Sequence, residues 1–310
     1  MFQALRRHSV DLSKLELRAR TATRVVYNRV PKCASTTTLT VLRRLEEEHH
    51  RYKRLHSNIF HDEHPRPERI DELLLELSAL REPWIFDRHL HFVDFRAHNM
   101  SFTPLYINII RKPLERFISE YYYLRQGQRE GMTNETRHMT FDECVLSNHS
   151  ECLEEQAFLI IPYFCGQRDL CLTPSRQALE LAKHNVIKHY SVVGLQEDLL
   201  HTFALMEQTS PQLFADMTKF AYRLIQYSPK IKSAHQINGA SDRAKQRMNK
   251  RLKLENEFYE FIKDRFLAMQ VYFRTDTFLT KASQHAKYDY YSDKLKQLQM
   301  ELAETETTER

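Results

Sequence analysis

Glycine is scarce in this sequence, since the 310-residue chain contains only five. Average usage of about 7% would give roughly 22 glycines in a chain of this length. The five that are present form neither the GxGxxG nor the GxxxxGK pattern. The sequence therefore excludes a standard dinucleotide-binding fingerprint and a standard Walker A loop.

Long apolar runs are also missing. No stretch approaches the roughly 18 apolar residues that span a bilayer, and the longest, Phe158 to Phe164, contains Pro162. Residues 1–20 are basic but lack the apolar core of a secretory signal peptide. These absences predict that the chain as written is soluble. With 42% hydrophobic and 28% charged residues, it has the composition of a globular protein.

Strand and helix patterns alternate along the chain. Short apolar runs predict strands at Arg24–Arg29, Leu105–Ile110 and Tyr190–Gly194, and Trp84–Phe95 looks extended. Helical spacing predicts helices at Ser35–Glu48, Ile70–Leu80, Lys112–Leu124, Ser175–His189, Glu197–Glu207 and Asp242–Tyr272. Such alternation predicts an α/β fold, with a parallel sheet flanked by helices on both faces and a helical C-terminal part.

The turn from Arg29 to Thr38, RVPKCASTTT, joins a predicted strand to a predicted helix. It offers free backbone N–H groups, hydroxyl donors and the cation of Lys32, which together suit an anion. Without glycine, the turn favours a diester-like phosphate over a triphosphate bound with Mg²⁺. N-capping of the helix by Ser35, without any bound anion, is an equally simple explanation of this sequence.

Arg111 follows the Leu105–Ile110 strand, and Ser119 lies two turns along the next helix. Both side chains could reach a second phosphate, because Arg supplies a bidentate fork and Ser a neutral donor. Alternatively, Arg111 pairs only with Glu115 in the first turns of that helix.

Two histidines of the segment RHLHF, His89 and His91, lie on one face if the segment is extended. A histidine suits the removal of a proton from a hydroxyl group at neutral pH. The same pair could hold a metal ion with His98 or Asp94. With 16 histidines in the chain, a chance pair is a third interpretation.

Four of the five cysteines fall into two close pairs, Cys144/Cys152 and Cys165/Cys171, with Cys33 left over. Neither spacing is the CxxC of a zinc knuckle. Sequential pairing into two small disulfide loops is favoured over four reduced thiols, which predicts an oxidising compartment. Three Asn-x-Ser/Thr sequons, at Asn99, Asn134 and Asn148, are candidate glycosylation sites.

Taken together and in this order, the motifs resemble the uronyl 2-O-sulfotransferase family, which includes heparan sulfate 2-O-sulfotransferase, the dermatan/chondroitin uronyl 2-O-sulfotransferase and Pipe-like proteins. The resemblance runs from about Arg24 to Phe273. It rests on seven segments: YNRVPKCAST, RHLHFVDF, YINIIRKPLERFISEYYYLR, TFDEC, IIPYFCGQ, VVGLQEDL and ENEFYEF.

The resemblance implies a P-loop-NTPase-like sulfotransferase fold and transfer of a sulfuryl group from 3′-phosphoadenosine 5′-phosphosulfate (PAPS) to the 2-hydroxyl of a uronic acid, without a metal. His91 would be the general base, with His89 as its support. Arg111 and Ser119 would hold the 3′-phosphate. The turn residues that would hold the 5′-phosphosulfate are Arg29, Lys32, Cys33, Ala34, Ser35, Thr36 and Thr37, with Lys32 neutralising charge on the leaving oxygen.

The resemblance also implies a glycosaminoglycan or glycoprotein-linked glycan as the acidic acceptor, no nucleic-acid partner, and a homo-oligomer, specifically a trimer. It implies a Golgi-luminal type II membrane protein whose anchor is absent from this chain. The expected domains are a stem or disordered segment at 1–23, a sulfotransferase domain at 24–280 and a tail at 281–310. The competing interpretation is a non-enzymatic binder of acidic glycans, based on the +5 net charge and the basic stretch Lys245–Lys253.

Overall fold

The structure is a computed structural model that describes residues 12–57, 59, 62–126, 133–227 and 240–282. Five strands form one parallel sheet in the order β2-β3-β1-β4-β5. The strands are β1 (Arg24–Asn28), β2 (Lys53–His56), β3 (Trp84–Arg88), β4 (Leu105–Ile110) and β5 (Tyr190–Leu195). β3, β4 and β5 are buried along their whole length, as expected for a sheet flanked by helices.

Helices occupy most of the rest of the described chain. In chain order they are α1 (Leu12–Arg20), α2 (Ser35–His49), α3 (Pro67–Ser78), α4 (Pro113–Gln126), α5 (Asn134–His138), α6 (Phe141–Leu146), α7 (Glu154–Ala157), α8 (Ile160–Cys165), α9 (Arg176–His189), α10 (Leu199–Thr209), α11 (Pro211–Phe214), α12 (Met217–Tyr227), α13 (Asp242–Arg251) and α14 (Lys253–Phe273). Short 3₁₀ turns lie at Ser150–Cys152, Asp169–Cys171 and Gln196–Asp198. Within the described ranges, no helix has both the length and the apolar character needed to cross a bilayer. The predicted α/β fold with a helical C-terminal part is confirmed.

The sequence pattern missed the edge strand β2. Its four residues, KRLH, include one aliphatic side chain, and none of the four is buried. The strand forms through backbone pairing with β3, in which Lys53 lies opposite Trp84. Because only one edge of β2 is paired and neither end is buried, no apolar run marks it in the sequence.

Two predicted boundaries differ from the structure. Helix α1 lies inside the segment expected to be a stem or disordered, and its Leu15 and Ala19 are buried in the main core. The single helix predicted for Asp242–Tyr272 is two helices, α13 and α14, that meet at Leu252. Leu252 is buried. Both helices contact α4, but α13 packs mainly against α6, whereas α14 packs mainly against β5, α9 and α10. The tail predicted for residues 281–310 lies, beyond residue 282, outside the described residues.

A second, smaller apolar core lies beside the main one. It joins α4, α6 and α13 through side chains that include Phe117, Phe141 and Met248. The disulfide between Cys144 and Cys152 crosses this small core, with 6.0 Å between the Cα atoms. The disulfide between Cys165 and Cys171 closes the end of α8, with 5.5 Å between the Cα atoms. This is the sequential pairing that the spacing favoured.

Candidate functional site

Every strand of the sheet places a residue in one cleft at the carboxyl edge, which we call the strand-end cleft. Arg29 follows β1, His56 ends β2, His89 follows β3, Arg111 follows β4 and Gln196 follows β5. The cleft has a volume of about 1220 Å³. Ligands of parallel α/β sheets bind at this edge because the strand ends and helix starts meet there.

The structure brings most of the sequence-predicted site residues into the strand-end cleft. The lining includes Arg29, Lys32, Ala34, Ser35, Thr36, Thr37, His89, Arg111 and Ser119. Segments far apart in the sequence therefore contribute to one site, as the separate motifs required. Cys33 and His91 are not among the described residues that line the cleft.

The turn between β1 and α2 has an unusual backbone. Lys32 and Ala34 have φ angles of 63° and 62°, a left-handed conformation that residues other than glycine rarely adopt. Strained residues of this kind cluster at ligand-binding sites. Ala34 provides no side-chain cap for α2, so the first amides of the helix remain as donors. The turn thus presents amides, the hydroxyls of Ser35 and Thr36, and the Lys32 ammonium to the cleft, which suits an anion.

Cys33 lies in the same turn, and the sequence placed it among the residues that would hold the 5′-phosphosulfate. The thiol is free but fully buried, with 0% exposure. Burial raises the pKa of the Cys33 thiol to about 12, so the group stays neutral at physiological pH. Any contribution of Cys33 to the turn is made by its backbone.

Arg111 and Ser119 line the strand-end cleft from the end of β4 and from α4. Arg111 is 8% exposed. Its guanidinium approaches the Glu115 carboxylate at 3.4 Å, and its buried Nε has no hydrogen-bond partner in the structure. The pairing with Glu115 therefore exists, but it leaves donor capacity on Arg111. A buried Arg with unused donors and a Ser hydroxyl in the same cleft suit a phosphate group.

His89 projects from the chain just after β3. Its Nδ1 lies 2.8 Å from the carbonyl oxygen of Arg29. Because a carbonyl oxygen can only accept, Nδ1 carries the proton and donates it, which leaves the lone pair of the neutral ring on Nε2. Burial, with the charge of Arg29 as a second cause, lowers the pKa of His89 to about 4. The ring is therefore neutral at physiological pH and has the form required of a base.

His91 does not share the position of His89, which corrects the expectation that both lie on one face of an extended segment. The strand ends at Arg88, and the His91 backbone N–H donates to the carbonyl oxygen of Glu63 at 2.8 Å. The His91 ring is 8% exposed and lies against Tyr163, with 5.0 Å between the ring centroids. Burial lowers its pKa to about 3, with the charge of His64 as a smaller cause.

Asp87 is a site residue that the sequence reasoning missed. Its carboxylate is fully buried next to the cleft and accepts hydrogen bonds from His56 at 2.7 Å and from Arg54 at 3.0 Å. The Nε of Arg29 lies 3.2 Å from the same carboxylate. One aspartate thus holds two cleft-lining groups, Arg29 and His56. The signal was a single acid inside the otherwise apolar start of strand WIFDR.

The metal interpretation of the histidine pair has no geometric basis in the described part of the chain. In that part of the chain, the only group of His, Cys, Asp and Glu side chains close enough together to hold a metal ion is Cys144, His149 and Glu151. The Cys144 sulfur of that group is in a disulfide. His98 pairs with Asp71 at 2.8 Å instead.

The three sequon asparagines, Asn99, Asn134 and Asn148, are exposed.

Comparison with known proteins identifies several relatives of this chain. A family model described as "Sulfotransferase family" matches residues 17–262. Uronyl 2-sulfotransferase of Homo sapiens is 34% identical over 258 residues, which cover 78% of this chain and 62% of that protein. Heparan sulfate 2-O-sulfotransferase 1 of Xenopus laevis is 35% identical over 272 residues, which cover 84% of this chain and 76% of that protein. The chain thus spans less than two thirds of the length of the uronyl 2-sulfotransferase that it matches.

Proposed function

The chain belongs to the sulfotransferase family, and from this membership we propose that it transfers a sulfuryl group from PAPS to the 2-hydroxyl of a uronic acid in a glycosaminoglycan or related glycan. The observation that carries the proposal is the convergence of Lys32, Arg111, Ser119 and His89 in the strand-end cleft. A protein that only binds glycans does not need two separate anion-binding groups and a neutral histidine in one cleft.

The proposed roles follow from the positions of the groups. The amides and hydroxyls at the start of α2 and the Lys32 ammonium hold the 5′-phosphosulfate. Arg111 and Ser119 hold the 3′-phosphate. The Arg111 Nε without a partner and the uncapped start of α2 support this fit.

His89 is the proposed general base, rather than His91. Its Nε2 takes the proton of the acceptor hydroxyl as the oxygen attacks sulfur. A bond forms between that oxygen and sulfur, and the bond between sulfur and the 5′-phosphate oxygen breaks. Lys32 offsets the charge that develops on the leaving oxygen. Positioning and charge stabilisation provide most of the acceleration in group transfers of this type.

Glycan binding without catalysis has less support from the structure. In the basic stretch on which it depends, Arg247 donates to the carbonyl oxygen of Leu146 at 3.2 Å, and Arg251 donates to that of Cys152 at 2.5 Å. Those arginines hold α13 to the rest of the protein. The Golgi location, the trimer and the choice among heparan, dermatan and chondroitin acceptors stay predictions.

The test is transfer of labelled sulfate from PAPS to a panel of desulfated heparan, dermatan and chondroitin chains. The proposal predicts label on at least one acceptor with the parent protein and a large loss with Lys32→Ala. Glycan binding in the absence of any transfer, by a protein that still binds the nucleotide, would favour the binder instead.

A further inference from the structure

Lys32 and Tyr123 form a cation–π contact at the wall of the strand-end cleft. The Lys32 Nζ lies 3.7 Å from the centroid of the Tyr123 ring. Tyr123 lies one helical turn beyond Ser119 on α4, and both side chains face the cleft. The ring is 59% exposed, so burial in the core does not explain why an aromatic residue occupies this position.

Two acidic side chains line the same cleft as Lys32, and each has an arginine partner. Glu120 forms an ion pair with Arg116 at 2.6 Å, and Glu115 lies 3.4 Å from Arg111. Both acids line the cleft. Burial lowers the pKa of Lys32, whereas Glu120 acts in the opposite direction. The Glu120 carboxylate therefore attracts the Lys32 ammonium and competes with an incoming anion for it.

We propose that Tyr123 is a positioning residue that holds the Lys32 ammonium at the phosphate turn. An aromatic face attracts a cation through its quadrupole. Unlike a carboxylate, it neither neutralises the charge nor uses the N–H donors in strong hydrogen bonds. Lys32 is therefore fixed in place while its charge and its donors remain available to the substrate. This inference rests on the proposed function, because it assigns Lys32 to the phosphosulfate.

Calorimetric titration with adenosine 3′,5′-bisphosphate tests the inference without requiring an acceptor. Tyr123→Leu removes the aromatic face, whereas Tyr123→Phe keeps it. The leucine variant should bind the nucleotide about three- to tenfold more weakly, and the phenylalanine variant should match the parent. Tyr272→Leu is the matched control. Tyr272 is also an exposed tyrosine, at 46%, and it is not among the described residues that line the cleft.

A double-mutant cycle separates positioning from a direct contact. If Tyr123 acts through Lys32, adding Tyr123→Leu to Lys32→Gln should cause no further loss of affinity. An equal loss in the Lys32→Gln background, or no loss in the parent background, would overturn the inference. A parent protein that does not bind the nucleotide contradicts both proposals. Binding with the expected cycle but no sulfate transfer to any acceptor contradicts only the proposed function.

Discussion

The imidazole of His89 donates from Nδ1 to the carbonyl oxygen of Arg29 at 2.8 Å. This bond ties the chain after β3 to the chain after β1, two strands that pair up to Asn28 and Arg88. It also sets the tautomer of the ring, which leaves the lone pair on Nε2, the proposed base nitrogen. His89 and Lys32 line the same cleft. Two residues later, His91 packs against Tyr163 instead.

The two histidines should therefore differ in their effect on catalysis. His89→Gln should lower the turnover number by about 10²- to 10⁴-fold, the usual contribution of a general base, while nucleotide affinity stays near that of the parent. His91→Gln serves as the comparison. It should lower the turnover number by less than about tenfold, because the His91 ring packs in the interior. A larger loss of turnover in the His91 variant, with normal folding by circular dichroism, would assign the general base to His91 instead.

The pH dependence of transfer should reflect the environment of His89. If the base were a histidine with an unperturbed pKa, kcat/KM would fall to half its maximum near pH 6.5. Because burial lowers the pKa of His89 to about 4, the ring keeps its base form well below that value. We expect kcat/KM to stay nearly constant from pH 8 to about 5 and to fall towards pH 4. A midpoint near 6.5, in protein shown to be folded at each pH, would disagree with the assignment.

Arg111 should be required for binding of the nucleotide. Adenosine 3′,5′-bisphosphate should raise the melting temperature of the parent by linkage, and Arg111→Ala should abolish that rise. The comparison is Arg69→Ala, since Arg69 is an arginine of α3 that pairs with Glu72 on the protein surface. An undiminished shift in the Arg111 variant would remove Arg111 from the site.

Glu255 should be important for stability rather than for chemistry. Its buried carboxylate accepts hydrogen bonds at 3.1 Å from the backbone amides of Leu159, Ile160 and Ile161, which begin α8. Glu255→Ala leaves these donors unsatisfied and should lower the free energy of unfolding by about 2–4 kcal/mol in urea denaturation. Burial raises the pKa of Glu255 to about 7, so Glu255→Gln, which resembles the protonated acid, should cost less.

The control for Glu255 lies two residues further along α14. Glu257 pairs on the surface with Arg176 at 2.5 Å and with Lys183 at 2.9 Å. Exposed pairs of this kind contribute about 1 kcal/mol or less. Equal losses of stability in Glu255→Ala and Glu257→Ala would show that Glu255 does not cap α8.

The sequence predicted the elements whose signals are local. β4 is a run of buried residues, and the turn at Lys32 joins a strand to a hydroxyl-rich helix start, so both were accessible from pattern alone. Arg111 could be placed because it directly follows a strand, and parallel strands end at one edge. The resemblance to a known family added the roles of these residues.

The features that were missed depend on contacts between distant segments. The alternating pattern continues past Arg88, but the chain turns there because His91 pairs with Glu63, 28 positions earlier. β2 forms by pairing with β3 and has no apolar run of its own. The grouping of Asp87 with Arg54 and His56 likewise joins two strands. No periodicity within one segment encodes such pairings.

The most direct test of the central claim compares two acceptors that differ only at the uronic acid 2-hydroxyl. One polymer carries that hydroxyl free, and the other carries it already sulfated. With labelled PAPS, the parent protein should transfer sulfate to the first polymer and not to the second, and His89→Gln should transfer little to either. Equal labelling of both polymers, or full activity in the His89 variant, would contradict the account.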